Sequence, residues 1–235
     1  MAFALRHTSL RIQAERVWLD ALLSHAPDVR GLIIHASPFL HHLADSRENF
    51  AAAQLRDAGF GTLLVSLLTP YEETRDPDVR YDASLLTNRL VSLLGWIRQQ
   101  PQLTGLPLGL IAAGTAAGAA VRLLSRDPDC VAVLCLRAGR PDLAGADPLR
   151  RLRLPVLLQL PGNEPDLRTP NEQAWALIPE PRRWIEIPEA SASFIEPGTL
   201  DHAARSTCDW LLQHMPERAE PSPPASPEPQ DAPRQ

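Results

Sequence analysis

Lysine is missing from this chain. The 235 residues include 23 basic side chains, and every one is arginine. That closes off the phosphate-cradling lysine of a P-loop, the lysine of a protein kinase, a pyridoxal Schiff base and any lysine-borne lipoyl or biotin arm. Cysteine is scarce as well. Cys130, Cys135 and Cys208 are too few for a disulfide framework, and neither a CxxC nor an HExxH pattern occurs. No cofactor and no metal is expected. A basic surplus is also lacking. The net charge of -5 leaves nothing with which to neutralise phosphates, so nucleic acid is not an expected partner. Long apolar runs are few. Gln99 to Val121 carries no charge, but Pro101, Pro107 and four glycines interrupt it, so it does not read as a membrane span. The first residues hold only a short apolar stretch before Arg6 and do not read as a signal peptide. The expectation is a cytoplasmic protein without membrane contact.

Proline, by contrast, is plentiful at 24 residues. Seven of these fall in Pro216–Gln235, a stretch with no aromatic residue and no aliphatic one larger than Ala. Such a segment buries too little apolar area to offset its ordering entropy, so 216–235 is expected to be a disordered, partly polyproline tail. Its composition would also suit a proline-reading domain. Residues 1–215 are expected to form one folded domain.

Within that domain, short apolar runs alternate with amphipathic stretches. Ser9–Gln13 and Val17–Leu23 predict an opening hairpin. Further strands are predicted at Gly31–His35, Thr62–Ser66, Leu108–Ala112, Val131–Cys135, Pro155–Leu160 and Trp184–Ile187. Helices are predicted over Ser46–Ala58, Ser84–Gln99, Thr115–Ser125 and Leu200–His214. Leu86, Leu90, Leu93, Leu94 and Ile97 fall on one face of the second of these. Gly59 should stop the first. Runs that are apolar at every position suit strands covered on both sides. The fold class is therefore α/β, a doubly wound and mostly parallel sheet flanked by helices, with an antiparallel N-terminal hairpin. Ligand sites in such sheets lie beyond the carboxyl ends of the strands.

Several phrases carry a family resemblance. They are Gly31-Leu-Ile-Ile-His35, the Gly61–Pro70 stretch, Leu106-Pro-Leu-Gly-Leu-Ile-Ala-Ala-Gly-Thr-Ala-Ala-Gly118, Ala138-Gly-Arg-Pro-Asp-Leu-Ala-Gly145 and Glu196-Pro-Gly-Thr-Leu200. Through them the chain resembles the α/β-hydrolase fold, and within it the dienelactone hydrolase-like group, from about Val17 to His214. The resemblance implies a nucleophile at a sharp strand-to-helix elbow, an acid after a later strand and a histidine before the last helix. Here the elbow reads Ala112-Ala113-Gly114-Thr115-Ala116, so Gly114 stands at the nucleophile position. Glu164 stands at the acid position and Ala192 at the histidine position. Acyl transfer needs an oxygen or sulfur nucleophile with a base in hydrogen-bond reach. Gly114 and Ala192 supply neither. Glycine at 114 also relaxes a backbone that is strained for any residue with a Cβ.

The expectation is a catalytically degenerate hydrolase fold, a pseudoenzyme that binds a small molecule or a protein partner as monomer or homodimer. Candidate pocket residues are His35, Ser37, Thr115 and Arg137. The alternative is an active hydrolase of small esters or lactones with Thr115 or Ser37 as nucleophile and His41 as base. Against it, Thr115 suits a helix cap and His41 and His42 a solvated loop. A metal at His35, His41 and His42 lacks a carboxylate to complete it. Arg137 and Arg140 could grip an anion, or pair with Asp142 or Asp147. Trp96, Trp175 and Trp210 are expected to pack rather than bind.

Overall fold

A computed structural model describes residues 5–38, 43 and 46–218. The expectations for His41, His42 and most of the proline-rich segment fall outside the described residues. Eight strands form one sheet: β1 (Arg6–Ala14), β2 (Val17–His25), β3 (Leu32–Ser37), β4 (Gly61–Ser66), β5 (Leu108–Ala113), β6 (Val133–Arg137), β7 (Val156–Pro161) and β8 (Arg182–Ile187). Their spatial order is β1-β2-β4-β3-β5-β6-β7-β8. The β1/β2 hairpin and the β2/β4 pair are antiparallel, and every other pair is parallel. This is the mostly parallel α/β architecture expected from the sequence.

The helices are α1 (Ser46–Asp57), α2 (Pro70–Arg75), α3 (Ala83–Arg98), α4 (Ala116–Leu124), α5 (Ala146–Arg150), α6 (Pro165–Trp175) and α7 (Thr199–His214). Leu55 of α1 and Trp210 and Leu211 of α7 pack on one face of the sheet with Ile33, Ile111, Val133 and Leu157. The buried faces of α3, α4 and α6 pack on the other, with Ile34, Leu63, Leu110, Leu134 and Leu158. Successive strand residues thus feed opposite cores, which is why β3, β4, β6 and β7 are buried along their whole length. On α3 the buried set includes Leu86, Leu90, Leu93, Leu94 and Ile97, the face that the spacing predicts. Gly59, at φ +89°, ends α1.

Four differences from the sequence expectation have physical causes. β6 runs two residues later than predicted and includes Arg137, because that guanidinium is buried in an ion pair and does not mark a strand end. β3 likewise continues to Ser37. The hairpin is longer than predicted because its open face carries polar residues out to Arg6. Finally, α2, α5 and α6 escape a periodicity search. They are short and polar, or, like α6 with Pro165 and Pro170, proline-bearing.

Candidate active site at the β3–β5 switch point

The chain leaves β3 toward β4 on one side and later returns to β5 on the other. The crevice beyond the carboxyl ends of β3 and β5 is therefore the topological switch point, the usual ligand position of such sheets. Gly114 follows β5 there, at φ +57°. Its N–H donates to the Arg137 carbonyl at 3.3 Å, and its carbonyl accepts from Ala117 (3.2 Å) and Arg140 (3.0 Å). The left-handed turn sends the chain directly into α4. The helix can approach because its first residues are small. A Cβ at Gly118 would lie 2.9 Å from Leu143 Cβ and 3.1 Å from the Arg140 carbonyl, and one at Gly139 would lie 2.6 Å from Ala117 Cβ.

Thr115 occupies the N-cap position of α4, but its side chain makes no cap bond. The hydroxyl donates instead to the Arg80 carbonyl, and the residue is buried. The capping expectation for its side chain is corrected accordingly: a carbonyl from the 3₁₀ turn at Pro77–Tyr81 competes successfully for that proton.

Glu164 sits between β7 and α6, and Ala192 lies in the turn after β8. The two meet: Glu164 Oε1 accepts the Ala192 N–H at 2.8 Å. The two turns are further laced by Gly162 N–H to the Ile187 carbonyl (2.9 Å), Asn163 N–H to the Ala190 carbonyl (2.9 Å) and Asn163 Nδ2 to the Glu189 carbonyl (2.7 Å). Gly162 permits this approach, since a Cβ would stand 3.1 Å from the Ile187 carbonyl. Glu189 and Phe194 hold left-handed backbones in the same turn, at φ +60° and +50°. Phe194 is buried with Ala138, Ile187, Ala190 and Ala203, anchoring the turn. Hydrogen bonds from the Ser191 backbone and hydroxyl hold the Glu196 carboxyl below its ordinary range.

His35 and Arg137 lie on the face covered by α1 and α7. His35 Nδ1 is 2.9 Å from Glu48 Oε2, and Arg137 Nη1 is 3.5 Å from the same oxygen. Both are buried, as is Ser37 at the end of β3. Next along the sheet, Gln159 pairs with Arg137 in register and donates from Nε2 to the Ala203 carbonyl, Ser206 Oγ and Thr207 Oγ1 of α7. Arg140 forms a bidentate pair with Asp142 at 2.8 and 2.7 Å, which raises its pKa. Glu48 and Gln159 were not singled out from the sequence. The available clue for Glu48 was an acid in the first turn of the helix that follows a histidine-bearing strand. Among the described residues no group of three or more His, Cys, Asp or Glu side chains is placed to hold a metal. No described helix is long and apolar enough to cross a membrane.

No protein-family model matches the chain. A Mycobacterium tuberculosis protein provisionally named a phosphoribosyl transferase is 37% identical over 214 residues, which are 90% of this chain and 47% of that protein. The chain thus spans about half the length of the curated relatives it matches. Among solved structures, the dienelactone hydrolase of Anabaena variabilis superposes with a TM-score of 0.83 at 29% identity, covering 90% of this chain and 99% of that one. Est1E of Butyrivibrio proteoclasticus superposes with a TM-score of 0.73 at 10% identity, covering 87% and 98%. The chain has the α/β-hydrolase fold and, within it, is similar to the dienelactone hydrolase group.

Proposed function

We propose that this chain is a catalytically degenerate α/β-hydrolase module that binds a small molecule or a protein partner at the switch-point crevice. The observation that carries the reading is at the elbow. Gly114 keeps the left-handed turn that presents a nucleophile, yet has no side chain to present. Ala192 offers no proton acceptor, and Glu164 is engaged with the Ala192 backbone. In this reading Gly114, Glu164 and Ala192 are the degenerate triad positions. Ser37 and Thr115 border the crevice, and His35 and Arg137 brace it through Glu48. The alternative with Thr115 as nucleophile is disfavoured by its burial and its bond to the Arg80 carbonyl. The transferase name of the mycobacterial relative is not carried over, because the matched stretch is less than half of that protein.

Restoration tests the reading. Gly114→Ser with Ala192→His, leaving Glu164 in place, supplies the two missing groups. The parent chain should give no burst with an activated ester. Esterase activity in the folded double variant would support a scaffold that lost only its reacting atoms. A burst from the parent, abolished by Thr115→Ala or Ser37→Ala, would refute the pseudoenzyme reading.

A further inference from the structure

The chain between β4 and α3 adds little to the core. Leu68 and Ala83 are buried, yet no residue from Thr69 to Asp82 between them is. The segment forms α2 and the 3₁₀ turn at Pro77–Tyr81, and neither contains a buried residue. Val79 packs half-buried against the core, while Tyr71 and Tyr81 are 68% and 56% exposed. Polar contacts hold the segment instead. Near its start, Glu72 Oε2 accepts the Thr69 N–H at 2.9 Å and Glu72 Oε1 meets Arg89 Nη2 of α3 at 2.6 Å. Near its end, the Arg80 carbonyl accepts the Thr115 hydroxyl. With so few buried apolar contacts, such a segment belongs to the low end of local stability, and a few polar bonds decide how often it opens.

The same bonds set the segment on the elbow. Thr115 directly follows Gly114, and its hydroxyl is spent on the Arg80 carbonyl and not on capping α4. Asp142 and, more weakly, Tyr81 raise the pKa of Arg140, which places the Tyr81 phenol beside that guanidinium. The Arg140 N–H in turn donates to the Gly114 carbonyl at 3.0 Å. The segment thus meets the chain on both sides of the elbow, through Thr115 and through Arg140. We propose that Thr69–Asp82 is a lid on the switch-point crevice, latched by the bond between the Thr115 hydroxyl and the Arg80 carbonyl. Thr115 is then a positioning residue, acting through the segment it holds. The lid turns at Leu68–Thr69 and Asp82–Ala83, where buried chain gives way to exposed chain; such element ends are where hinges absorb their backbone change. Asp82 accepts the Ser84 and Leu85 N–H groups at 3.0 and 2.9 Å, so α3 keeps its cap when the lid lifts. The proposal concerns access to the crevice and stands apart from the pseudoenzyme reading, since a lid serves a binding site and a reacting one alike.

Hydrogen exchange followed by mass spectrometry on the full chain tests the latch. Thr115→Val removes the hydroxyl and keeps the shape of the side chain. Backbone amides within 71–82 should then exchange about 2- to 12-fold faster, the weight of one hydrogen bond. Thr115→Ser, which keeps the hydroxyl, should restore the parent rate. Amides of α4 should not change, because the Thr115 side chain caps nothing there. Access to the crevice is measured with Gly114→Cys, which sets a thiol at the elbow. The native cysteines are buried, so a thiol reagent reports on position 114. Labelling should quicken by a similar factor when Thr115→Val is added. Equal exchange of 71–82 in the parent and Thr115→Val chains would overturn the latch, as would faster exchange that spreads through α4. Faster exchange of 71–82 with unchanged labelling would overturn the place of the segment over the crevice. The exchange measurement needs no change at Gly114 and decides the latch on its own.

Discussion

Three glycines, changed to alanine one at a time, should give different results that the structure ranks in advance. Gly114 sits at φ +57° after β5. A Cβ in the left-handed region costs about 1–2 kcal/mol, offset by about 0.4–1 kcal/mol because alanine restricts the unfolded chain. Gly114→Ala should therefore destabilise by about 1 kcal/mol, a fall in Tm of about 2–4 °C for a domain of this size. Gly118 lies inside α4, where alanine gains about 1 kcal/mol of helix propensity. Its Cβ would meet Leu143 Cβ at 2.9 Å, the Arg140 carbonyl at 3.1 Å and the Ala144 nitrogen at 3.3 Å. Two of these are backbone atoms that cannot swing aside, and overpacking costs about 1–3 kcal/mol. Gly118→Ala should be neutral to destabilising despite the propensity. Gly95, inside α3, has open space at its Cβ, so Gly95→Ala should stabilise by about 0.5–1 kcal/mol. Urea denaturation read by far-UV circular dichroism measures all three. A Gly114→Ala chain as stable as its parent would refute the left-handed elbow, and with it the alignment of Gly114 to the nucleophile position.

Arg89 is buried in α3, 2.6 Å from Glu72 and 3.7 Å from Glu15. Glu72 stays partly solvated and also accepts from Thr69, so Arg89→Ala should cost about 1.5–3 kcal/mol, the range of a hydrogen bond to a charged group, measured by urea midpoint, and Arg89→Met less. Burial pushes the thiol of Cys135 up to about 12 and that of Cys208 up to about 11. All three cysteines should resist a thiol reagent at pH 8 in the native chain and react on unfolding, and rapid native labelling of Cys135 would contradict its place in the core. Burial and then Arg218 lower the pKa of His25, and burial lowers that of His214. For a base whose folded pKa is depressed, the stability is complete above the unfolded value of about 6.5 and is lost as pH falls through the folded one. Thermal stability should thus decline below about pH 6.5, with a shallower slope in His25→Gln. An unchanged slope would remove His25 from the account.

The sheet was legible because burial on both faces forces long apolar runs, and five of the six parallel strands carry one; the edge strand β8 is buried only at Ile187. What the runs hide is their ends. Ser37 and Arg137 look like loop residues by polarity, yet they lie in strands; Arg137, like His35 of the predicted strand, is met by Glu48 from α1. Nothing in a one-dimensional pattern pairs position 48 with positions 35 and 137. The elbow was legible through its run of small residues, and the approach of α4 to the Ala138–Gly145 turn explains why they are small. The side-chain role of Thr115 was not legible, since the competing carbonyl belongs to Arg80, 35 residues away.

In the proposed reading, Glu164 keeps a structural task at the acid position of a triad whose reacting groups are missing. A carboxylate at this place in an active triad would orient a histidine ring. Here it accepts the N–H of Ala192, the residue that the proposed alignment sets at the histidine position. The turn so held contains two left-handed residues, Glu189 and Phe194, each costing of order 1–3 kcal/mol unless its surroundings fix it. The Glu164 bond, the Asn163 bonds and the buried Phe194 ring are what fix it. Replacing Glu164 by Asp would withdraw the carboxylate by one methylene and lengthen a 2.8 Å bond that its reach now satisfies. The acid is thus tied to the architecture of the turn after β8, independently of any proton transfer.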